Sequence, residues 1–97
     1  MEETLERSAL LEERQKTHGS FVNNAQVSQF FKRYIRKSQT GYADGGFSDV
    51  HQEALDMICL KLSRILSGQA NFKDHWDDIA GYAQLAAEAC NAQKRDA

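Results

Sequence analysis

The sequence predicts an all-α fold, a helical bundle of three long helices plus a shorter N-terminal helix. Two observations predict it: the 97 residues contain no proline, and apolar residues recur at helical spacing in four segments. Hydrophobic residues make up 41% and charged residues 27% of the chain, which is typical of a globular protein. Because this length suits one domain, we expect residues 1–97 to form a single helical domain with a polar tail from about residue 91.

The first two helices are predicted over residues 3–16 and 21–38. In the first, Leu5, Ala9 and Leu10 share a face, and Gly19 follows as a stop signal. The second carries a strong amphipathic stripe, made of Val27, Phe30, Phe31, Tyr34 and Ile35. The glycine-rich segment 39–47 is predicted to be a loop.

The third helix is predicted over residues 49–67, with Ser48 as its N-cap and Gly68 at its end. Its main apolar face consists of Leu55, Ile58, Leu62, Ile65 and Leu66, so we expect it to be the central helix. The fourth helix opens at Asn71 or Lys73 and runs to about residue 92, with a face of small side chains. Since the 68–72 connection is short, the last two helices should form an antiparallel hairpin.

The net charge and the two cysteines limit the cellular location and the binding partners that we expect. The net charge of −2 favours neither nucleic acid nor a membrane surface as a partner, and no apolar run approaches membrane-spanning length. The first seven residues are largely charged, unlike a secretory leader. Cys59 and Cys90 are expected to be small buried thiols, so the sequence predicts a cytoplasmic protein.

Acidic residues cluster on the third and fourth helices, and two interpretations of them stay open. Carboxylates three or four residues apart share a helix face and bind Mg²⁺ readily. A metal site is therefore one hypothesis, with ligands Glu53, Asp56, Asp74 and Asp78. In the other, the acidic residues of the fourth helix form ion pairs across the hairpin, Lys61 with Asp78 and Arg64 with Asp74.

A family resemblance bears on the first interpretation. The segments His18–Phe21, Glu53–Ile58, Lys61–Leu66 and Asp74–Ala83 resemble a family of small phage and prophage proteins. That family is in turn similar to the all-α, MazG-like nucleotide pyrophosphohydrolases. The resemblance implies Mg²⁺ bound by two acidic pairs, here Glu53/Asp56 and Asp74/Asp77, with Lys61 or Arg64 holding phosphate.

Basic residues on the second helix form a further candidate contact surface. Lys32, Arg33, Arg36 and Lys37 lie in a segment that has no acidic residue between positions 21 and 38. They would hold a phosphate or an acidic partner, or else form a solvated helix face.

Two functions are consistent with these features. The first is a small phage-type accessory protein that binds a host protein or a nucleotide, for instance to inhibit a host defence system in the host cytoplasm. The second is a Mg²⁺-dependent nucleoside triphosphate pyrophosphohydrolase. Because the third helix is apolar on more than one side, we also expect a homodimer.

Overall fold

The computed structural model describes the backbone of residues 2–39 and 47–96, and the side chains of residues 9–39 and 47–90. Four helices are present: α1 (Glu2–His18), α2 (Phe21–Ser38), α3 (Asp49–Ser67) and α4 (Lys73–Asp96). These residues contain no strand, so the all-α prediction is confirmed. Residues 40–46 of the predicted loop lie outside the described part. None of the described helices is both long and apolar enough to cross a membrane.

The first helix differs from the prediction, because it is not short. α1 has 17 residues and α2 has 18, and only Gly19 and Ser20 separate them. Gly19 ends α1 with a φ of +80°, a conformation that glycine adopts without strain. Ser20 then caps α2 by accepting a hydrogen bond from the Asn23 amide over 3.2 Å. If α1 and α2 are counted as one bent helix, the described residues form three helices instead of the four that were predicted.

The third helix is central, as predicted. α3 contacts α2 on one side and α4 on the other, and α1 reaches it only with a small contact surface. Contact between α2 and α4 is marginal at most. The helices therefore form an open arrangement rather than a closed bundle, and the radius of gyration is 16.9 Å, against about 12.5 Å for a compact domain of this length.

Two glycines bring the end of α1 against the end of α3, at a place that we call the helix junction. A Cβ on Gly19 would lie 2.6 Å from the backbone oxygen of Ser67, and a Cβ on Gly68 would lie 2.7 Å from the backbone carbonyl carbon of His18. The Thr17 carbonyl accepts hydrogen bonds there from the Gln69 amide over 3.0 Å and from His75 Nε2 over 2.8 Å. His75 is 1% exposed, because its ring closes this junction.

The buried core is small, and much of the predicted apolar surface is exposed. Of the described apolar residues, only Ala54, Cys59 and Ile65 are fully buried. On α2 the side that meets α3 buries the polar Asn24 and Ser28, whereas Phe30 and Tyr34 are 61% and 67% exposed. The amphipathic stripe of α2 was correctly predicted as a stripe, but its outer half does not reach the core.

These exposed side chains lie on one side of the molecule, which we call the open face. On α3, Lys61 faces α4 and Gln52 faces α2, and the sector between them is apolar. From helical geometry, the exposed apolar stripes of α2 and α4 lie on either side of that sector. On the α4 side, His51 Nε2 of α3 lies 3.2 Å from Cys90 Sγ of α4. The open face consists of Phe30, Tyr34, Leu55, Ile58, Leu62, Leu66, Trp76, Ala80, Ala83 and Ala87. Cys90, expected to be buried, is exposed because it continues the outer stripe of α4.

Candidate functional site

Two acidic residues of α4, Asp77 and Asp78, form ion pairs with lysines. Lys61 Nζ lies 2.8 Å from Asp78 Oδ2 and confirms the ion pair predicted across the hairpin. This hydrogen bond from Lys61 holds the pKa of Asp78 below its usual value. Lys73 pairs with Asp77 on the same helix over 2.6 Å. The pair predicted between Arg64 and Asp74 is not formed among the described side chains.

The four acidic residues predicted as Mg²⁺ ligands lie on two neighbouring helices, Glu53 and Asp56 on α3 and Asp74 and Asp78 on α4. Asp56 accepts a hydrogen bond from Gln52 Nε2 over 3.2 Å, and Glu53 lines a shallow cleft with Tyr82 and Leu85 between α3 and α4. Within the described part of the chain, no group of three or more His, Cys, Asp or Glu side chains lies close enough to hold a metal ion. Binding of Mg²⁺ by Glu53, Asp56, Asp74 and Asp78 therefore stays a prediction, and Lys61, predicted to hold phosphate, contacts Asp78 instead.

The basic residues of α2 lie along its outer surface. Arg33, Arg36 and Lys37 are exposed, and Lys32 is half-buried. None of the four forms a salt bridge with another described side chain. Their role as a contact surface stays a prediction.

A cleft of about 420 Å³ lies where α1 bends into α2 and both face α3. We call it the junction cleft. α1 contributes Arg14 and His18 to its wall, α2 contributes Phe21 and Asn24, and α3 contributes Arg64. Its described lining includes no acidic residue. The junction cleft is therefore a cationic, partly apolar concavity, on the side of the molecule away from the open face.

Positive charge is concentrated in the junction cleft, although the carboxylate of Asp78 on α4 attracts Arg64 from outside the cleft. Neither Arg14 nor Arg64 forms a salt bridge with a described carboxylate. Partial burial and the charge of Arg14 lower the pKa of Arg64. Burial, Arg64, His75 and Arg14 together lower the pKa of His18. The repulsion among these positive groups disfavours a further positive charge in the cleft and favours an anion.

An unpartnered polar group also points to a ligand in this cleft. Asn24 is 7% exposed, and its Oδ1 has no hydrogen-bond partner among the described residues. A buried carbonyl oxygen without a partner costs about 1–3 kcal/mol unless something else satisfies it. The adjoining Phe21 is 84% exposed, although a large aromatic ring gains free energy when it is covered.

Comparison with known proteins places this chain in a family. A model of a domain of unknown function, DUF6378, matches residues 4–90. The chain belongs to the DUF6378 family. No curated protein and no solved structure matches the chain.

The sequence predicted a functional role for only one residue of the junction cleft of this DUF6378 domain. Arg64 was predicted as a phosphate ligand, but Arg14, His18, Phe21 and Asn24 were not recognised. Two local signals were available, since Arg14 and His18 are four residues apart and Phe21 and Asn24 are three apart, so each pair shares a helix face. Nothing local indicates that α3 closes the cleft with Arg64.

The pKa of His18 makes a prediction about the stability of the DUF6378 domain. Because this pKa is lower in the fold than its ordinary value of about 6.5, the unfolded chain binds the proton more readily. The resulting contribution to the free energy of unfolding is complete above the ordinary value and is lost as the pH falls through the lower value. The charged or titratable groups that face His18 are Arg14 on α1, Arg64 on α3 and His75 on α4.

We therefore expect the midpoint of thermal unfolding to fall between pH 7.5 and pH 5. His18→Gln cannot gain the proton, so its midpoint should fall less over the same range. Titration of Asp78 lies at lower pH, because Lys61 lowers its pKa, and does not interfere. Parallel curves for the wild type and His18→Gln would contradict the prediction.

Proposed function

We propose that this protein acts by binding rather than by catalysis, and that its functional unit is a pair of chains joined through their open faces. The observation that carries the proposal is the open face itself, an apolar surface on α2, α3 and α4. Stable domains bury such surfaces between two layers of secondary structure. A single chain supplies one layer, and a second copy would supply the other.

The chemistry of the open face suits another copy of the same chain. The described residues of α3 in this sector include no charged side chain, so pairing would bury no charge from the central helix. Ala80, Ala83 and Ala87 of α4 are exposed and small, which allows close approach of a facing helix. Phe30, Tyr34 and Trp76 are large exposed anchors beside them.

Surface area supports the same conclusion. The chain has an accessible surface of 7569 Å², whereas a compact monomer of this mass has about 5,600 Å². Part of the excess comes from the extended ends of α1 and α4. The remainder is sufficient for a stable interface, which removes about 800 Å² from each partner.

Within this proposal the protein is a phage-type accessory protein of the host cytoplasm. The sequence resemblance to small phage and prophage proteins supports that role, with a host protein or a nucleotide as the bound target and inhibition of host defence as one outcome. The lack of a convergent acidic site in the described residues favours binding over the pyrophosphohydrolase alternative. Pairing through a two-fold axis would leave both junction clefts accessible.

The proposal is tested by measuring the mass of the protein in solution by light scattering after size-exclusion chromatography. We expect the wild type to have twice the chain mass of 11.0 kDa. Phe30→Glu places a charge in each half of a symmetric interface, so the dissociation constant should rise at least about 100-fold, since each unpaired buried charge costs about 1.4 kcal/mol or more.

Val22→Glu is the matched control, because Val22 lies on the same helix, is 64% exposed and is not among the residues of the open face. It should pair as the wild type does. A wild type that remains at 11.0 kDa at 100 µM or more would overturn the proposal, as would equal dissociation of both variants.

A further inference from the structure

We propose that the junction cleft binds a nucleotide, with Arg14 and Arg64 on the phosphate and Phe21 against the base. This inference rests on the proposed binding function, for which it names the target, but it does not depend on the pairing, because the cleft lies on the opposite side of the molecule from the open face. The two ideas can therefore fail separately.

The charges of the cleft select a phosphate group. Two guanidinium groups from different helices line it, and neither has a carboxylate partner among the described side chains. Guanidinium is planar and donates paired hydrogen bonds that match phosphate oxygens. Burial, and then repulsion from Arg14, lower the pKa of Arg64 in the free protein, and a dianion between the two arginines would offset that repulsion.

The other walls of the cleft select a flat ring that carries a hydrogen-bond donor. Phe21 offers an exposed aromatic face, and Leu60 adds an apolar surface from α3. Asn24 lies in the wall of the cleft with its Oδ1 buried and unpartnered among the described residues, so a rotation of this amide would let it accept a hydrogen bond from an exocyclic amino group of a base. Inorganic phosphate would leave these three groups unused, so a nucleotide fits the cleft better.

The size and the rigidity of the cleft agree with this ligand. Its volume of about 420 Å³ lies at the smaller end of small-molecule sites, which span about 300–1,000 Å³. The helix junction holds the Arg14 and Arg64 helices against each other through Gly19 and Gly68. The site is therefore largely formed before a ligand arrives, which reduces the entropy cost of binding.

The test is calorimetric titration of the full chain with AMP, adenosine and inorganic phosphate, each in the presence of EDTA. We expect AMP to bind more tightly than either adenosine or phosphate alone. Arg14→Gln and Arg64→Gln should each weaken AMP binding at least about tenfold, since a hydrogen bond to a charged group contributes about 1.5–3 kcal/mol. Phe21→Leu should weaken the binding of AMP but not that of phosphate.

Lys16→Gln provides the matched control, because it removes one positive charge from an exposed position of α1 that does not line the cleft. It should bind AMP as the wild type does, and circular dichroism should show that every variant is folded. Equal losses in Lys16→Gln and Arg64→Gln would overturn the site in favour of diffuse attraction. Equal affinity for AMP and phosphate would overturn the nucleotide assignment. No heat of binding with 10 mM AMP would overturn the binding site as well as the nucleotide assignment.

Discussion

Replacing Gly68 by alanine is expected to lower the free energy of unfolding by about 3 kcal/mol or more, the upper part of the range for overpacked positions. The added Cβ would lie closest to the carbonyl oxygen of Thr17, and 2.7 Å from both the carbonyl oxygen of Arg64 and the carbonyl carbon of His18. All three atoms belong to the backbone, so no side chain can rotate to make room. The ends of α1 and α3 must separate instead, which breaks the bond from the Gln69 amide to Thr17.

This loss is measured by thermal and urea unfolding at a fixed protein concentration. For a domain of this size, about 1 kcal/mol lowers the unfolding midpoint by about 4–8 °C. The decrease for Gly68→Ala should therefore exceed about 12 °C on the same scale. A midpoint within a few degrees of the wild type would show that the two helix ends are not in contact.

The matched control is the same substitution at Gly81. A Cβ at Gly81, in the middle of α4, meets nothing within 4 Å. Alanine has the higher helix propensity, by about 1 kcal/mol, so Gly81→Ala should raise the unfolding midpoint slightly. A lower unfolding midpoint for Gly68→Ala and a higher one for Gly81→Ala would separate the effect of the helix junction from the general effect of adding a methyl group.

Replacing His75 by alanine is expected to have the second largest effect, a loss of about 3 kcal/mol in the free energy of unfolding. His75 is 1% exposed, and its ring centroid lies 4.9 Å from that of His18 and 4.8 Å from that of Phe72. Because a carbonyl only accepts, Nε2 of His75 must donate its proton to Thr17. Alanine removes both the packing and this hydrogen bond, and leaves a cavity at the junction.

Two further variants separate the hydrogen bond from the packing. Gln places an amide nitrogen near the position of Nε2, whereas Asn places it near Nδ1. If the bond to Thr17 matters, His75→Gln should be more stable than His75→Asn by about 1 kcal/mol, the usual net worth of such a bond. Equal stabilities for Gln and Asn would show that His75 acts through packing alone.

The elements of the fold were largely predictable, because the signals that start and stop a helix are local. Ser48 accepts a hydrogen bond from the His51 amide and opens α3, and Gly68 ends it, as the sequence indicated. α4 extends further than expected, to Asp96. The ion pair between Lys61 and Asp78 could also be predicted, because a short connection sets the register of two antiparallel helices.

The candidate sites were predictable only in part, for a different physical reason. A site assembled from several helices depends on how each helix is rotated about its axis, and one apolar stripe is compatible with several rotations. The rotation of α2 buries Asn24 and exposes Phe30, which no count of apolar residues indicates. The same limitation explains why Arg64 was predicted without Arg14, its neighbour in the junction cleft.

By itself the sequence determined an all-α chain with a central third helix and an antiparallel hairpin after it. Composition, capping residues and helical periodicity act within a few residues, so they can be read without a structure. Only the tertiary structure decided that His75 closes a junction, that the acidic residues stay apart in the described chain, and that one apolar face remains open. These outcomes depend on contacts between residues distant in sequence, such as the hydrogen bond from His75 to Thr17, 58 positions apart.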